Sequence, residues 1–252
     1  MIARTILLTG ATGKFGRVFL QHLLSSGHTV IGTASTQESL QKLTTEYDLS
    51  NKKFHGLVVD LCKAGSSISV VDMLRAQNLT PDCLINNARS LKFLEVGKSG
   101  VVSRQNFLNE YLLDVVVPYE LSIKLHEYSS RLKTILNIGS QYGVVASNPR
   151  LYDDPEKGSP IHYGVAKAAL SHLTKELAVR FAEFGIQVSC IAYGGVEGRV
   201  NTAFKERYAE LVPLGRMLRE EEIVWPLDAF LSEKSAPMTG QTLNFDGGWT
   251  IW

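Results

Sequence analysis

The sequence of 252 residues has few cysteines, no excess of charge of either sign and no long apolar run. Its three cysteines, Cys62, Cys83 and Cys190, show neither metal-ligand spacing nor a pairing pattern, so we expect no metal site and buried free thiols in a reducing cytoplasm. With 26 basic and 25 acidic residues the net charge is +1, which gives no electrostatic reason to bind nucleic acid or anionic membranes. No run could span a bilayer, and the glycine turn at residue 10 leaves no room for a signal peptide, so we expect a cytoplasmic protein.

What the sequence does contain is a regular alternation of short apolar runs and helical patterns, without internal repeats. Seven runs predict strands, and helices lie between them. This order predicts an α/β fold over residues 1–252: a Rossmann-type, doubly wound, seven-stranded parallel sheet with helices on both faces in one domain. Ligands of such sheets bind beyond the carboxyl ends of the strands, and the polar candidates of this chain fall at those ends.

The first strand ends in a glycine turn that opens the first helix. Gly10, Gly13 and Gly16 have the spacing G-x-x-G-x-x-G rather than the G-x-G-x-x-G of many dinucleotide binders. Glycines at such a turn let the backbone approach a pyrophosphate, which the positive end of the helix attracts. A lone glycine turn is often only a turn, but its place between strand and helix favours a cofactor site. The cofactor-binding residues predicted here are Gly10, Thr12, Gly13, Lys14, Phe15 and Gly16.

The end of the second strand bears on the type of cofactor. NAD-binding folds usually place an acid there for the ribose 2′-hydroxyl, whereas this strand ends in Thr33-Ala34-Ser35-Thr36. Hydroxyl and basic groups accept a 2′-phosphate that an acid would repel, so Ser35, Thr36 and Lys14 are predicted contacts and NADP(H) is favoured over NAD(H). The alternative is that Ser35 and Thr36 only cap the following helix.

Two further strand ends carry polar groups. Asp60, followed by Leu61, ends the predicted strand 56–60, where it could accept a hydrogen bond from an adenine amino group or cap the next helix. Asn86 and Asn87 end the fourth strand, where their amides could tie neighbouring strands together beside a cofactor.

Tyr163 and Lys167 are four residues apart on a predicted helix, so their side chains share one face, about one turn apart. A fixed ammonium beside a phenol favours the phenolate. Such a pair can deliver or remove a proton at a carbonyl or alcohol carbon. Alone the pair is a weak indication, because most such pairs on helix surfaces are solvated.

Taken together, these residues resemble the short-chain dehydrogenase/reductase family over essentially the whole chain. Asn86-Asn87-Ala88 resembles the N-N-A-G motif, with Arg89 in place of glycine, and Tyr193-Gly194-Gly195-Val196 resembles the P-G motif at the nicotinamide. Asp246-Gly247-Gly248 resembles the C-terminal D-G-G. The resemblance implies that Asn87, Ala88, Gly194 and Val196 bind cofactor together with Asp60, Leu61, Tyr163 and Lys167. It also implies that Ser140, Tyr163 and Lys167 are catalytic.

The chain departs from the family pattern at two places. The resemblance aligns Asp114 with the asparagine that completes the catalytic tetrad, at a kink predicted by Pro118. We expect Asp114 to keep the role with an altered proton relay. The spacing from Ser140 to Tyr163 is longer than usual, which predicts an inserted loop at 146–161. That loop either shapes the substrate pocket or is a surface excursion. Residues 196–218, which are charged and weakly periodic, are predicted to form a mobile substrate lid.

The substrate is the least determined part of the prediction. The stretch from Tyr142 to Tyr152, with Arg216-Met217 later, is similar to oxidoreductases of flagellin modification and of legionaminic-acid-type pathways, which implies a sugar or nucleotide sugar as substrate. The alternatives are a general carbonyl or 3-oxoacyl reductase and a catalytically impaired, NADP-sensing binding protein. Four arginines are candidates for an anionic substrate: Arg150, Arg199, Arg207 and Arg216. The resemblance implies a homodimer or homotetramer, and the apolar end from Trp249 to Trp252 predicts burial against the core or a partner subunit.

Overall fold

The computed structural model describes residues 2–50, 52–97, 100–154, 158–198 and 200–252. Its strands are β1 (Thr5–Leu8), β2 (Thr29–Ala34), β3 (Phe54–Val58), β4 (Cys83–Asn86), β5 (Thr134–Ser140), β6 (Gln187–Tyr193) and β7 (Thr242–Phe245). All pair in parallel, in the order β3-β2-β1-β4-β5-β6-β7, which confirms the predicted seven-stranded sheet. The strand order reverses between β1 and β4, and such a switch point opens a crevice at the carboxyl edge.

Helices cover both faces of this sheet. They are α1 (Lys14–Ser25), α2 (Gln37–Glu46), α3 (Ser66–Ala76), α4 (Arg104–Tyr111), α5 (Val117–Tyr128), α6 (Ile161–Arg180), α7 (Thr202–Leu211) and α8 (Trp225–Leu231). On one face Phe19 of α1 and Phe230 of α8 join the core, and on the other Leu74, Leu121 and Leu177 of α3, α5 and α6 do. The strands are therefore buried on both faces, which explains their continuous apolar runs.

The long helix predicted around Pro118 is interrupted where the kink was expected. A π-helical turn, Leu112–Val116, separates α4 from α5, and the Val117 N–H bonds to the Leu112 carbonyl. Pro118 has no N–H to bond to the carbonyl of Asp114, four residues earlier, so an unbroken α-helix cannot continue there. This turn places Asp114 in the interior of the protein.

Residues 196–218 contain a helix that the sequence did not predict. Tyr208 of α7 is buried in a small apolar cluster with Leu151, Val212, Met217 and Trp249. Leu151 and Trp249 are distant from Tyr208 in the sequence, so the weak local periodicity gave no indication of the helix. The expected burial of the C-terminus is only partly confirmed. Trp249 packs in this cluster, whereas Trp252 is 77% exposed.

Several smaller predictions can be compared with the described residues. Strand β3 begins and ends two residues earlier than predicted. Cys83 and Cys190 are buried thiols, and Cys62 is half-buried. Across the described part of the chain, no helix is both long and apolar enough to cross a membrane. In the same part, no group of three or more histidine, cysteine or acidic side chains is arranged to hold a metal ion.

Candidate active site

A cavity of about 1040 Å³ lies beyond the carboxyl ends of the strands. This volume suits a large ligand such as a dinucleotide. All the predicted site residues except Asp114 line it: Gly10, Thr12, Gly13, Lys14, Phe15, Gly16, Ser35, Thr36, Asp60, Leu61, Asn87, Ala88, Ser140, Tyr163, Lys167, Gly194 and Val196. The fold thus brings together groups that are up to 186 positions apart in the sequence, from Gly10 to Val196.

The glycine turn forms a close backbone cradle at one end of the cavity. Gly10 has a φ of +65°, and a Cβ there would lie 2.7 Å from the Cα of Ala88. A Cβ on Gly16 would collide with the Gly10 carbonyl. Gly13 is the N-cap of helix α1 and provides no side-chain cap, so the first N–H groups of the helix remain available to an anion. The turn therefore fits the pyrophosphate of a dinucleotide.

The residues predicted to contact a 2′-phosphate are engaged to different degrees. Thr36 caps α2 by accepting the Ser39 N–H at 3.1 Å, as the capping alternative stated. The ammonium of Lys14 donates to the carbonyl of Glu197 and lies 3.0 Å from a carboxylate oxygen of Glu220. Ser35 is exposed at the end of β2 and lines the cavity.

The polar residues after β3 and β4 hold the edge of the sheet together. Asp60 accepts the Cys62 N–H at 3.1 Å, and α3 begins later with Gly65 as its N-cap, so Asp60 does not cap that helix. The side-chain amide of Asn87 donates to the carbonyls of Thr9, at 2.9 Å, and Gly10, at 3.2 Å. The amide of Asn86 donates to Asn137 of β5 at 2.8 Å. The predicted ties between neighbouring strands are confirmed.

Ser140, at the end of β5, lines the same cavity as Tyr163 and Lys167 of α6. The Lys167 ammonium is buried and lies 5.8 Å from the centre of the Tyr163 ring. It donates to the Ile138 carbonyl and to Asp114 Oδ1, each at 2.9 Å. Burial by itself lowers the pKa of Lys167, but the charges of Asp114 and Tyr163 and the hydrogen bond to Asp114 together outweigh it, and the pKa is raised. Lys167 is therefore a permanent cation beside the phenol.

Asp114 connects this group to a second, much smaller cavity of about 10 Å³. Asn86, Asp114, Lys167 and Thr9 are among its lining residues. Asn86 Oδ1 and Asp114 Oδ2 are buried and have no hydrogen-bond partner among the described residues. The volume and the polar lining suit about one water molecule.

Two charged groups of the site were not predicted from the sequence. Glu110 is 1% exposed, and neither of its carboxylate oxygens has a hydrogen-bond partner within the described residues. Burial, followed by the charge of Asp114, raises its pKa to about 7. The guanidinium of Arg89 lies over Tyr163, 4.4 Å from the ring centre. Arg89 was noticed only as a departure from a motif, and Glu110 gave no sequence signal.

The inserted loop and the predicted lid form part of the cavity wall. Tyr152, Gly158, Ser159 and Pro160 line the cavity from the loop; Val196, Val200, Phe204, Tyr208 and Met217 line it from residues 196–218. The two segments are joined because Arg207 donates to the Leu151 carbonyl and pairs with Asp153, each at 2.9 Å. The loop is therefore not a separate surface excursion.

None of the three described arginines proposed from the sequence as anion contacts lines this cavity. Arg207 is held by the loop, and Arg216 forms a two-bond pair with Glu222 at 2.7 and 2.8 Å. Arg150 is exposed on a short 3₁₀ turn and does not line the cavity. Arg199 lies outside the described residues.

Comparison with known proteins gives matches over nearly the full chain. The family model described as enoyl-(acyl carrier protein) reductase, a model of short-chain dehydrogenases/reductases, matches residues 11–250. The chain is 29% identical to 3-oxoacyl-[acyl-carrier-protein] reductase FabG of Escherichia coli, over 96% of this chain and 95% of that protein. It is 26% identical to post-translational flagellin modification protein A of Campylobacter coli, over 98% of each.

A solved structure has the same architecture. The chain superposes with a TM-score of 0.85 on a short-chain dehydrogenase from Leptospira borgpetersenii with bound NAD⁺. The two are 29% identical, and the match covers 99% of this chain and 93% of the other.

Proposed function

The chain belongs to the short-chain dehydrogenase/reductase family of oxidoreductases, and from this premise we propose that it transfers a hydride between NADP(H) and a carbonyl or alcohol substrate. One observation carries the proposal. Tyr163 and Lys167, with Ser140 at the end of β5, face the same cavity as the glycine cradle of α1. A proton-transfer group and a dinucleotide site are thus within reach of one bound substrate.

The residues of the cavity fit a nicotinamide dinucleotide. We assign the pyrophosphate to the turn from Gly10 to Gly16, where the backbone is open and the helix end attracts anions. Asp60 and Leu61 would border the adenine, and Gly194 and Val196 the nicotinamide. The absence of an acid at the end of β2 supports NADP(H), with Ser35 as the exposed hydroxyl contact. When bound, the nicotinamide supplies or accepts the hydride.

The protein's own groups manage the oxygen and the proton. Ser140 would hold the substrate oxygen by a hydrogen bond, and Tyr163 would donate its proton to that oxygen during reduction or remove it during oxidation. Lys167 places a positive charge near the phenol and favours the phenolate. Asp114 fixes Lys167 and borders the small polar cavity, where a water molecule would be held as the next member of the proton relay that recharges the phenol.

The substrate we propose is a sugar or nucleotide sugar of surface-glycan synthesis. The flagellin modification protein of Campylobacter coli supports this class by likeness alone. The second candidate is reduction of a 3-oxoacyl compound, which the likeness to the Escherichia coli reductase favours. In both cases the loop 146–161 and the segment 196–218 would shape the substrate pocket, and we propose that the latter acts as a lid.

The test is a fluorescence titration with NADPH and NADH, followed by a turnover screen of sugar nucleotides, 3-oxoacyl thioesters and simple ketones. We expect tighter binding of NADPH than of NADH and turnover of at least one carbonyl class. With NADPH bound, brief proteolysis should cleave residues 196–218 more slowly. Tight binding without turnover on any compound would contradict hydride transfer and favour a cofactor-sensing protein.

A further inference from the structure

We propose that Arg89 forms an anion-binding subsite beside Tyr163, and that the substrate carries a carboxylate or phosphate close to its reacting carbon. The inference rests on the proposed function and narrows its substrate class. It assigns a recognition role to a residue that stands where the family motif has glycine.

The side chain of Arg89 lies directly against the ring of Tyr163. Its guanidinium stacks over the phenol ring at 4.4 Å, an arrangement in which a cation is attracted to the aromatic face. The phenol oxygen is on the rim of that same ring. An anionic group of the substrate that is held by Arg89 would therefore be only a few bonds away from a substrate oxygen that contacts Tyr163.

The guanidinium of Arg89 is available to a ligand. Arg89 is exposed and lines the cavity, and it forms no hydrogen bond or ion pair with the described residues. A guanidinium presents five N–H donors in a planar fork, which matches the geometry of a carboxylate or phosphate. The stack on Tyr163 fixes the fork without using those donors.

The wall of the cavity carries more basic than acidic side chains. Among the described residues that line it, Lys14, Arg89, Lys92 and Lys167 are basic and Asp60 is the single acid. Lys14 is paired with Glu220 and Lys167 with Asp114, so Arg89 and Lys92 remain as uncompensated cations. Both follow β4. The wall near Tyr163 thus favours an anionic ligand.

Glu110 is the acid that is electrostatically coupled to Arg89. Burial and Asp114 raise the pKa of Glu110 to about 7, and Arg89 acts in the opposite direction. At neutral pH Glu110 therefore carries only part of a negative charge. No ion pair between the two is present among the described residues, and the positive charge of Arg89 stays directed to the cavity.

A phosphate of the cofactor is the competing ligand for Arg89. Ala88 packs against Gly10, so the backbone before Arg89 faces the glycine turn. The side chain, however, lies over Tyr163. This position favours the substrate over the cofactor as the ligand of Arg89. Separate measurements of cofactor binding and of substrate turnover distinguish the two ligands.

The experiment compares acetoacetate with methyl acetoacetate, which share one ketone and differ in charge. We expect the wild type to prefer the anion, and Arg89→Gln to lower kcat/KM for acetoacetate on the order of 10- to 100-fold, the range of a charged hydrogen bond. The kcat/KM for the ester and the Kd for NADPH should each change less than about threefold, which corresponds to a free-energy difference well below 1.4 kcal/mol. Arg89→Lys should recover part of the loss, and Arg131→Gln, at an exposed site, should behave as wild type.

Equal loss for both compounds would overturn the subsite, and so would weaker NADPH binding with an unchanged preference for the anion. If the wild type reduces neither compound, binding of 3-hydroxybutyrate and its methyl ester to the protein–NADP⁺ complex is measured by calorimetry. Preferential binding of the anion that is lost in Arg89→Gln supports the subsite even though hydride transfer has failed. No preference for the anion overturns it.

Discussion

Lys167 is a buried cation whose charge is balanced by one carboxylate. Asp114 Oδ1 lies 2.9 Å from its ammonium, and both side chains are almost completely buried. Removing one partner of a buried pair leaves an uncompensated charge, which costs about 3–5 kcal/mol. We therefore expect Asp114→Ala to lower the free energy of unfolding by about that amount. Asp114→Asn should cost less, because its amide oxygen still accepts a hydrogen bond from Lys167.

Chemical denaturation at pH 7 measures both variants, and turnover is measured alongside. Activity should fall further in Asp114→Ala than in Asp114→Asn, since only the latter keeps Lys167 in position. Stability of Asp114→Ala equal to that of the wild type would show that the pair does not hold the lysine.

Glu110 makes the stability of the protein depend on pH near neutrality. Its pKa is raised from 4.5 to about 7, chiefly by burial, so the folded chain keeps a proton that the unfolded chain releases. Raising the pH from 4.5 to 7 therefore favours unfolding, by up to about 3 kcal/mol at 1.36 kcal/mol per pH unit. Glu110→Gln lacks this proton, and its stability relative to the wild type should rise over that range and level off above pH 7.

Denaturant unfolding of Glu110→Gln and the wild type at several pH values between 4.5 and 8.5 gives this difference. Glu183→Gln, at an exposed glutamate, is the control and should follow the wild type. Parallel curves for Glu110→Gln and the wild type would mean that Glu110 is already ionised in the folded protein.

At the scale of elements, two glycines of the turn between β1 and α1 have different expected roles: one is required by the fold and the other by the ligand. Gly10 has a left-handed φ and touches Ala88, so Gly10→Ala should destabilise the protein by about 1–3 kcal/mol. Gly13 has a φ of −74°, and a Cβ there would meet only the Gly10 carbonyl, at 3.4 Å. Gly13→Ala should therefore leave stability unchanged within about 0.5 kcal/mol.

If the turn holds the pyrophosphate, the added methyl group of Gly13→Ala lies where the ligand approaches the backbone. The Kd for NADPH should then rise by about tenfold or more, equivalent to 1.4 kcal/mol. Thermal unfolding and fluorescence titration measure the two quantities independently. Unchanged NADPH binding in Gly13→Ala would place the pyrophosphate elsewhere.

The elements with local signals were predictable, and those that depend on distant contacts were not. Continuous apolar runs identified the strands because both faces of the sheet are covered, and Pro118 located the π-helical turn because it lacks an N–H. Helix α7 was missed because its buried Tyr208 packs on Leu151 and Trp249, which are remote in sequence. The site followed the same rule: strand ends predicted the cavity wall, whereas the approach of Arg89 to Tyr163 exists only in the folded chain.

At the scale of the whole molecule, apolar side chains are exposed on three helices. Leu108 on α4 is 57% exposed, and Tyr119 on α5 and Val165 on α6 are each 44% exposed. We propose that these helices pair with a second copy of the chain, and that the protein is a dimer or tetramer. Light scattering at micromolar concentration should give the mass of a dimer or tetramer, and Leu108→Asp should lower this mass without loss of helical signal. A monomeric wild type would contradict the proposal.

The proposed acid–base group and the proposed cofactor cradle line one cavity, and the sheet has its switch point between β1 and β4. Binding of the dinucleotide and transfer of the proton should therefore be separable by a single substitution. Tyr163→Phe removes only the hydroxyl that would exchange the proton and keeps the ring on which Arg89 stacks.

The measurement is the Kd for NADPH and kcat of Tyr163→Phe, with the carbonyl compound that the wild type reduces fastest. We predict a Kd within about threefold of the wild-type value, a difference in binding free energy well below 1.4 kcal/mol. We predict a kcat lower by a factor of about 10²–10⁴, the usual contribution of a positioned proton donor. A kcat equal to that of the wild type would contradict the assignment of Tyr163 as the proton donor.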